Sequence, residues 1–78
     1  MRIRINEAQK HFEEVHGYRL TKDRLAELAM ADYGGSLRSK VNILTLMQSG
    51  KITHPRLDLI AKIGIICDVD MNFLISND

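Results

Sequence analysis

The chain has 78 residues, with 11 Lys and Arg against 10 Asp and Glu, and a formal net charge of +1. A chain this short buries on folding only about 60% of the surface that its unfolded form exposes. Because this is too little for two separate cores, we expect a single domain, residues 1–78. One cysteine, Cys67, excludes an internal disulfide bond, and the first residues lack a signal-peptide pattern. The longest apolar run is shorter than the roughly 20 residues that span a bilayer. These features predict a cytoplasmic protein without a membrane partner.

The charges are segregated along the chain. Basic and acidic residues balance over residues 1–32, whereas residues 33–57 contain four basic side chains and no acidic one. Residues 57–78 carry four Asp and one Lys. The middle segment is therefore where a phosphate backbone would be attracted. The other explanation of this excess of basic residues is a solvated surface without a partner.

The N-terminal segment predicts a short extended stretch and then a helix. MRIRI alternates charged and apolar residues, so it either pairs with a second copy of the chain or leads directly into the first helix. Asn6 is a good N-cap and Gly17 a good C-terminal stop. The apolar positions between them share one helical stripe: Ala8, Phe12 and Val15.

Two further helices follow. Thr21 opens the second, which runs until Gly34 and Gly35 interrupt the pattern. Ser36 caps the third, and Gly50 ends it. Apolar spacing assigns to the core Leu25, Leu28 and Ala29 of the second helix and Leu37, Val41 and Leu44 of the third, with Gln48 on the same face.

The C-terminal third predicts a fourth and a fifth helix. Pro55 suits the first turn of the fourth, which ends near Cys67, and Asp70 caps the short fifth helix. The apolar positions are Leu57, Ile60 and Ile63 in the fourth helix and Met71, Leu74 and Ile75 in the fifth. The expected fold class is therefore all-α, with five helices and a short N-terminal extended segment.

Three segments occur in an order typical of one family. LTKDRLAELA, residues 20–29, contains a Leu–Ala pair; QSGK, residues 48–51, is similar to an acidic-x-Gly-Lys signature; and the segment from Pro55 continues with periodic apolar residues. Gly64 occupies the position of a small residue that lets the helix pack closely. The other matching positions in that last segment are Pro55, Leu57, Ile60, Ile63, Val69 and Leu74. Together they resemble the lambda-repressor-like (Cro/C1-type, XRE) helix-turn-helix family over about two thirds of the chain.

The resemblance implies a compact lambda-repressor-like domain that binds double-stranded DNA as a homodimer and regulates transcription as a phage or bacterial repressor does. One departure concerns the spacing. Between Leu25 and Gly50 the chain is about eight residues longer than the family pattern, so a longer connection around AMADYGGS replaces the tight turn. Such a connection either seats the third helix in the major groove or tilts it away.

The third helix is the expected recognition helix. On a helical wheel Arg38, Asn42 and Thr45 gather on one face with Ser39 beside them. Arg pairs with guanine, Asn with adenine, and Thr offers a hydroxyl or a methyl group to thymine. Lys40 falls at the apolar margin of the helix and is assigned to phosphate rather than to a base. We therefore expect these five residues to contact DNA.

Four more residues are expected to contact the DNA backbone. Lys22, in the first turn of the second helix, matches a family position that touches phosphate. Lys51, Thr53 and His54 follow the recognition helix and are assigned to the same strand, although each is also explained as a solvated side chain. The third helix has further apolar residues, Ile43, Leu46 and Met47, which indicate packing against the first or fifth helix, a dimer contact, or contact with thymine methyl groups.

Other classes of function are less well supported by the residues. An enzyme needs a nucleophile with a base, or paired carboxylates in a cleft, and the sequence offers neither, so no catalytic residue, metal, cofactor or small-molecule substrate is expected. The main alternative is a protein-interaction module on the same fold with weak or no DNA binding. An antitoxin-like protein, which binds DNA and also presents its acidic C-terminal segment to a protein, is the third.

Overall fold

Five helices and two short strands account for the regular structure of the described residues. A computed structural model describes residues 1–76. The helices are α1 (Ile5–His16), α2 (Lys22–Ala29), α3 (Leu37–Ser49), α4 (Leu57–Cys67) and α5 (Met71–Leu74), and the strands are β1 (Arg2–Ile3) and β2 (Ile75–Ser76). Residues 77 and 78, which the predicted domain includes, lie outside the described residues.

The two strands join the ends of the described chain. They pair antiparallel, with Arg2 opposite Ser76 and Ile3 opposite Ile75. The Arg4 N–H also donates a hydrogen bond of 2.8 Å to the Leu74 carbonyl oxygen. The predicted extended segment is therefore present and leads into α1, but neither interpretation of MRIRI included its pairing with the C-terminal end of the same chain, and the fold is mostly helical rather than all-α. The physical reason is that the chain leaves α5 in an extended conformation, whose free backbone groups bind the N-terminal segment.

Side chains at three helix starts confirm the predicted boundaries. Each accepts a hydrogen bond from a backbone N–H in the first turn: Thr21 from Arg24 at 3.1 Å, Ser36 from Ser39 at 3.2 Å, and Asp70 from Phe73 at 2.8 Å. Gly17 and Gly50 end α1 and α3 with positive φ angles of 77° and 79°, as predicted from their positions.

Three predicted boundaries were wrong. Asn6 does not cap α1, because the pairing of β1 extends to Arg4 and the helix begins at Ile5. Pro55 precedes α4, which starts at Leu57 after Arg56. The second helix ends at Ala29, five residues before Gly34.

A single core lies between the helices. It contains Ile3, Ile5, Ala8, Phe12, Leu20, Leu25, Ala26, Ala29, Met30, Leu44, Met47, Leu59, Ile60, Ile63, Cys67 and Leu74. The Cα radius of gyration is 11.5 Å, the value of about 11.5 Å expected for a folded chain of this length. α3 packs against α1, α2 and β1, and α4 packs against α1, α2 and α5. In residues 1–76 no helix has both the length and the apolar character needed to cross a membrane.

Four residues that the apolar spacing assigned to the core are largely exposed. Their exposed fractions are 53% for Val15, 43% for Leu28, 37% for Leu37 and 65% for Leu57. Periodicity identifies residues that share a side of a helix, but the width of the buried stripe depends on the neighbouring elements. In a chain this small the buried stripe is narrow.

Gly64 allows α4 and the chain after it to approach closely. A Cβ atom at this position would lie 2.7 Å from the Val69 carbonyl oxygen and 3.5 Å from Leu74 Cδ1. Asp68 ends α4 with a φ of 64°, and the Val69 N–H then donates to the Gly64 carbonyl oxygen at 3.0 Å. Position 64 therefore requires the small residue that was expected, because a larger one would meet the Val69 backbone, which cannot rotate away as a side chain can.

We predict that Gly64→Ala destabilises the fold although alanine is the better helix former. The methyl group should gain about 1 kcal/mol in helix propensity but lose more through displacement of the Val69 backbone, for a net loss of about 2 kcal/mol. Gly34→Ala is the matched control, since no heavy atom lies within 4 Å of a Cβ there. Urea unfolding measures both variants, and equal midpoints would contradict the close approach.

Candidate nucleic-acid interface

One face of α3 brings together four of the predicted contact residues. Arg38, Ser39, Asn42 and Thr45 are all exposed. With the half-buried Val41 they line an open concavity of about 520 Å³. The opposite side of α3 carries the buried Leu44 and Met47, so the polar face is directed away from the core.

The N-terminal end of α3 is electropositive. Ser36 accepts the Ser39 N–H, and the first turn contains no acidic residue. Backbone N–H groups at a helix N-terminus carry a partial positive charge, which favours a phosphate or another anion. Arg38 lies in this turn, and the half-buried Lys40 follows two residues later.

The hydroxyl groups on this face are partly used by the helix itself. Thr45 Oγ1 donates to the Val41 carbonyl oxygen at 3.2 Å, and Ser49 Oγ donates to the Leu46 carbonyl oxygen at 3.1 Å. Thr45 therefore retains its lone pairs and its methyl group for a ligand. Ser49 was missed by the sequence analysis, although its spacing of 11 residues from Arg38 places it on the same face.

Lys40 and the four other residues assigned to the DNA backbone all lie outside the α3 concavity. Lys22 is the first residue of α2 and is half-buried, directly after the cap residue Thr21. Lys51, Thr53 and His54 are exposed in the loop that follows Gly50. In the sequence, Lys22 lies before α3 and the three loop residues lie after its C-terminal end. None of them lines the concavity with Arg38.

A brace of polar contacts holds the connection between α2 and α3. This connection is residues 30–36, seven residues instead of the three or four of the common helix-turn-helix. The Arg56 guanidinium lies 4.8 Å from the centre of the Tyr33 ring and also binds Asp58 through Nε and Nη2, at 3.1 and 2.7 Å. Lys62 of α4 binds Asp32 at 3.1 Å. The connection is therefore attached to the start and the middle of α4.

The brace also changes the charge available for a ligand. Hydrogen bonds from Arg56 lower the pKa of Asp58, and the same contacts raise the pKa of Arg56. A hydrogen bond from Lys62 lowers the pKa of Asp32. Arg56 was counted in the basic segment, but it is paired within the chain, so the free positive charge of this segment comes from Arg38, Lys40 and Lys51.

Gln48 attaches the C-terminal end of α3 to α1. Its Oε1 accepts the Asn6 N–H at 2.7 Å, which satisfies one of the free donors in the first turn of α1. Nearby, Arg2 binds Glu7 at 3.1 Å. Partial burial raises the pKa of Glu7, but hydrogen bonds from its own N–H and from Arg2 outweigh that effect and lower it. Gln48, which takes the acidic position of the acidic-x-Gly-Lys signature, is thus a structural hydrogen-bond acceptor.

The additional apolar residues of α3 are explained in part by packing. Met47 is buried, and Ile43 packs against the core from a half-buried position. α3 contacts α1, so the predicted contact with the first helix is confirmed. Leu46 remains half-buried.

No metal site accompanies this interface in the part of the chain that the structure describes, because no three His, Cys, Asp or Glu residues lie together there. Burial raises the pKa of the Cys67 thiol to about 11. The thiol therefore stays protonated at neutral pH and behaves as a small apolar core residue.

Comparisons of the chain with models of protein families, with curated proteins and with solved structures found no match. The functional evidence therefore lies in the residues of this chain and their arrangement.

We predict that Gln48→Ala lowers the stability of the domain by about 1 kcal/mol, because the Asn6 N–H loses its acceptor at the start of α1. Thermal unfolding should show a decrease in Tm of about 4–8 °C for a domain of this size. Ser49→Ala is the neighbouring control, since Ser49 bonds only within its own helix. A Tm equal to that of the unsubstituted protein would mean that Gln48 does not anchor α3 in solution.

Proposed function

We propose that the protein is a sequence-specific regulator of transcription that binds double-stranded DNA as a homodimer, with α3 as its recognition helix in a lambda-repressor-like domain. The observation that carries this proposal is the exposed face of Arg38, Ser39, Asn42 and Thr45 on one well-anchored helix. Arg and Asn offer the bidentate donors and acceptors that distinguish base pairs in the major groove. The side chains of Arg38 and Asn42 form no hydrogen bond or ion pair with another described residue, so DNA binding would not have to break one.

The direction of α3 suits this role. In helix-turn-helix proteins the N-terminal residues of the recognition helix contact base edges, and Arg38 and Ser39 occupy that end of α3. An N-terminus without acidic residues admits the negatively charged duplex. Lys22, Lys51, Thr53 and His54 would then contact phosphate and sugar, which position the protein without reading sequence.

The brace around Tyr33 limits the orientational freedom that the long connection would otherwise give α3. A loose loop of seven residues would let α3 adopt many orientations, and DNA binding would have to order it at a cost in free energy. The contacts of Arg56 with Tyr33 and of Lys62 with Asp32 hold the loop against α4. They support a recognition helix that is oriented before it meets DNA.

The first experiment is selection of bound duplexes from a random-sequence pool at physiological salt. Specific sites should outcompete non-specific DNA by at least ~10³, and a homodimer should enrich two half-sites related by a two-fold axis. Binding that disappears as salt rises, with no enriched sequence, would contradict the proposal. That result would favour the protein-interaction module, or the antitoxin-like protein if a protein partner were found.

We predict that Arg38→Ala and Asn42→Ala each reduce affinity for the selected site about 5- to 150-fold, because each removes a base contact worth about 1–3 kcal/mol. Lys22→Ala should instead weaken binding to all sequences and reduce the salt slope by about one charge. Fluorescence anisotropy with selected and scrambled duplexes separates these two effects.

Lys10→Ala is the control for charge alone, since Lys10 is exposed on α1 and takes part in none of the proposed contacts. It should leave the affinity nearly unchanged. Circular dichroism shows whether each variant is folded. If Arg38→Ala and Asn42→Ala were folded and bound as well as Lys10→Ala, α3 would not be the recognition helix.

A further inference from the structure

α4 has a second apolar stripe that the core does not cover. Leu57, Ala61 and Ile65 are spaced by four residues and therefore share one side of the helix. Leu57 is 65% exposed and Ile65 is 80% exposed, the highest values among the large apolar residues of the described chain. The half-buried Ala61 lies between them. A stripe with two large exposed residues around a small one is typical of a helix that packs against another element.

A groove lies beside this stripe. It has a volume of about 460 Å³ and runs between the C-terminal half of α4 and the start of α5. Its walls are Ala61, Gly64, Ile65, Val69 and Met71, and Asp68 and Asp70 complete its lining. The groove is therefore mainly apolar, with two carboxylates at the end of α4, and it is wide enough for an aliphatic side chain.

The two ends of the stripe differ in charge, because the N-terminal end carries Arg56 paired with Asp58, whereas the C-terminal end carries carboxylates alone. Arg56 precedes Leu57, whereas Asp68 and Asp70 follow the helix. Neither Asp68 nor Asp70 forms an ion pair with another described residue, although Asp70 accepts the Phe73 N–H. Arg56 uses Nε and Nη2 for Asp58, which leaves Nη1 for a further acceptor.

We propose that this surface binds a second copy of the chain, with the two α4 helices antiparallel and Ala61 at the two-fold axis. In that arrangement Leu57 of each copy meets Ile65 of the other, beside the groove. Arg56 of each copy approaches Asp68 and Asp70 of the other, and the helix dipoles oppose each other favourably. The surface is thus complementary to itself, which a two-fold interface requires.

The small side chain of Ala61 permits the close approach at the axis. Packed helix axes are 8–10 Å apart and Cα atoms lie about 2.3 Å from each axis, so at the wider spacing, which leaves room for the two methyl groups, facing Cα atoms would be roughly 5 Å apart. α4 has 11 residues and a length of about 16 Å. An interface of this length falls at the small end of known interfaces, so the dimer should dissociate on dilution.

This interface deepens the proposed function, because it supplies the dimer that a two-fold related DNA site would bind. It is nevertheless tested without DNA. Sedimentation equilibrium from about 1 µM to about 1 mM should show the mass rising from that of the 8.9 kDa chain toward twice this value. Ile65→Lys, which places a charged group in the apolar contact with Leu57 of the other copy, should raise the dissociation constant at least 10-fold.

Val15→Lys is the matched control for this substitution. Val15 is an exposed apolar residue, 53% exposed, on α1 and outside the stripe. It should leave the association unchanged. A wild-type protein that stays monomeric over the whole range, or equal dissociation constants for Ile65→Lys and Val15→Lys, would overturn the proposal.

A disulfide experiment tests the position of the axis. Under mild oxidation Ala61→Cys should form a covalent dimer, because the expected Cα separation lies in the range that a disulfide bond requires. Val15→Cys, at equal concentration, should crosslink at least 10-fold more slowly, and the native Cys67 is buried and contributes little background. Equal rates for the two variants would contradict an axis at Ala61.

The two proposals fail in distinguishable ways. If Ile65→Lys abolishes the dimer and the protein still selects a single half-site, both the surface and the recognition helix are supported. If the protein dimerises through α4 but selects no DNA sequence, the interface stands and the proposed function fails. If it selects a two-fold related site but Ala61→Cys crosslinks no faster than Val15→Cys, another surface forms the dimer.

Discussion

The burial of Leu44 and Met47 determines which side of α3 faces solvent. At 100° per residue, the direction midway between these two side chains lies about 180° from the direction of Arg38, Asn42 and Ser49. Leu44 is fully buried and Met47 is 2% exposed, so a rotation of α3 that hid the polar face would expose both apolar side chains. Exposing two such residues would cost about 3–6 kcal/mol, a large part of the stability of a small domain. The polar face is thus held outward by the core on the other side of the same helix.

Polar contacts at both ends complement this burial. Gln48 joins the end of α3 to the first turn of α1. At the other end, Tyr33 and Asp32 in the preceding loop bind Arg56 and Lys62 of the α4 region. These contacts are exposed and each is worth little alone, since solvent screens exposed ion pairs. Their effect is directional, because they complement the buried Met30 and the half-buried Tyr33 in selecting one path for the loop.

The sequence predicted those features of the fold that a few neighbouring residues determine. Thr21, Ser36 and Asp70 each satisfy a backbone donor three residues away, and a glycine at positive φ ends α3 after Ser49, so local chemistry was sufficient. The strand pair joins residues more than 70 positions apart, and two residues are too few to show a period. The exposure of Leu57 depended on whether another element covers it, which apolar spacing does not reveal.

The same distinction applies to the candidate site. The grouping of Arg38, Asn42 and Thr45 follows from helical geometry alone, and the structure places all three on one exposed side of α3. Arg56 was assigned to the basic segment although Asp58, which binds it, is only two residues away; its other partner, the Tyr33 ring, is brought to it by the path of the loop. The acceptor role of Gln48 likewise requires knowledge that α1 begins beside the end of α3.

The antiparallel pair of β1 and β2 also affects the order in which the domain can form. Ile3 is 1% exposed and its strand partner is Ile75, so the N-terminal strand has no partner until the last turns of the chain have been synthesised. Contacts between residues so distant in sequence form late and slow the folding of small domains. A nascent chain that has just completed α3 therefore lacks both the strand partner of Ile3 and the α4 residues of the core, so the polar face of α3 becomes fixed in direction only after α4 has been added.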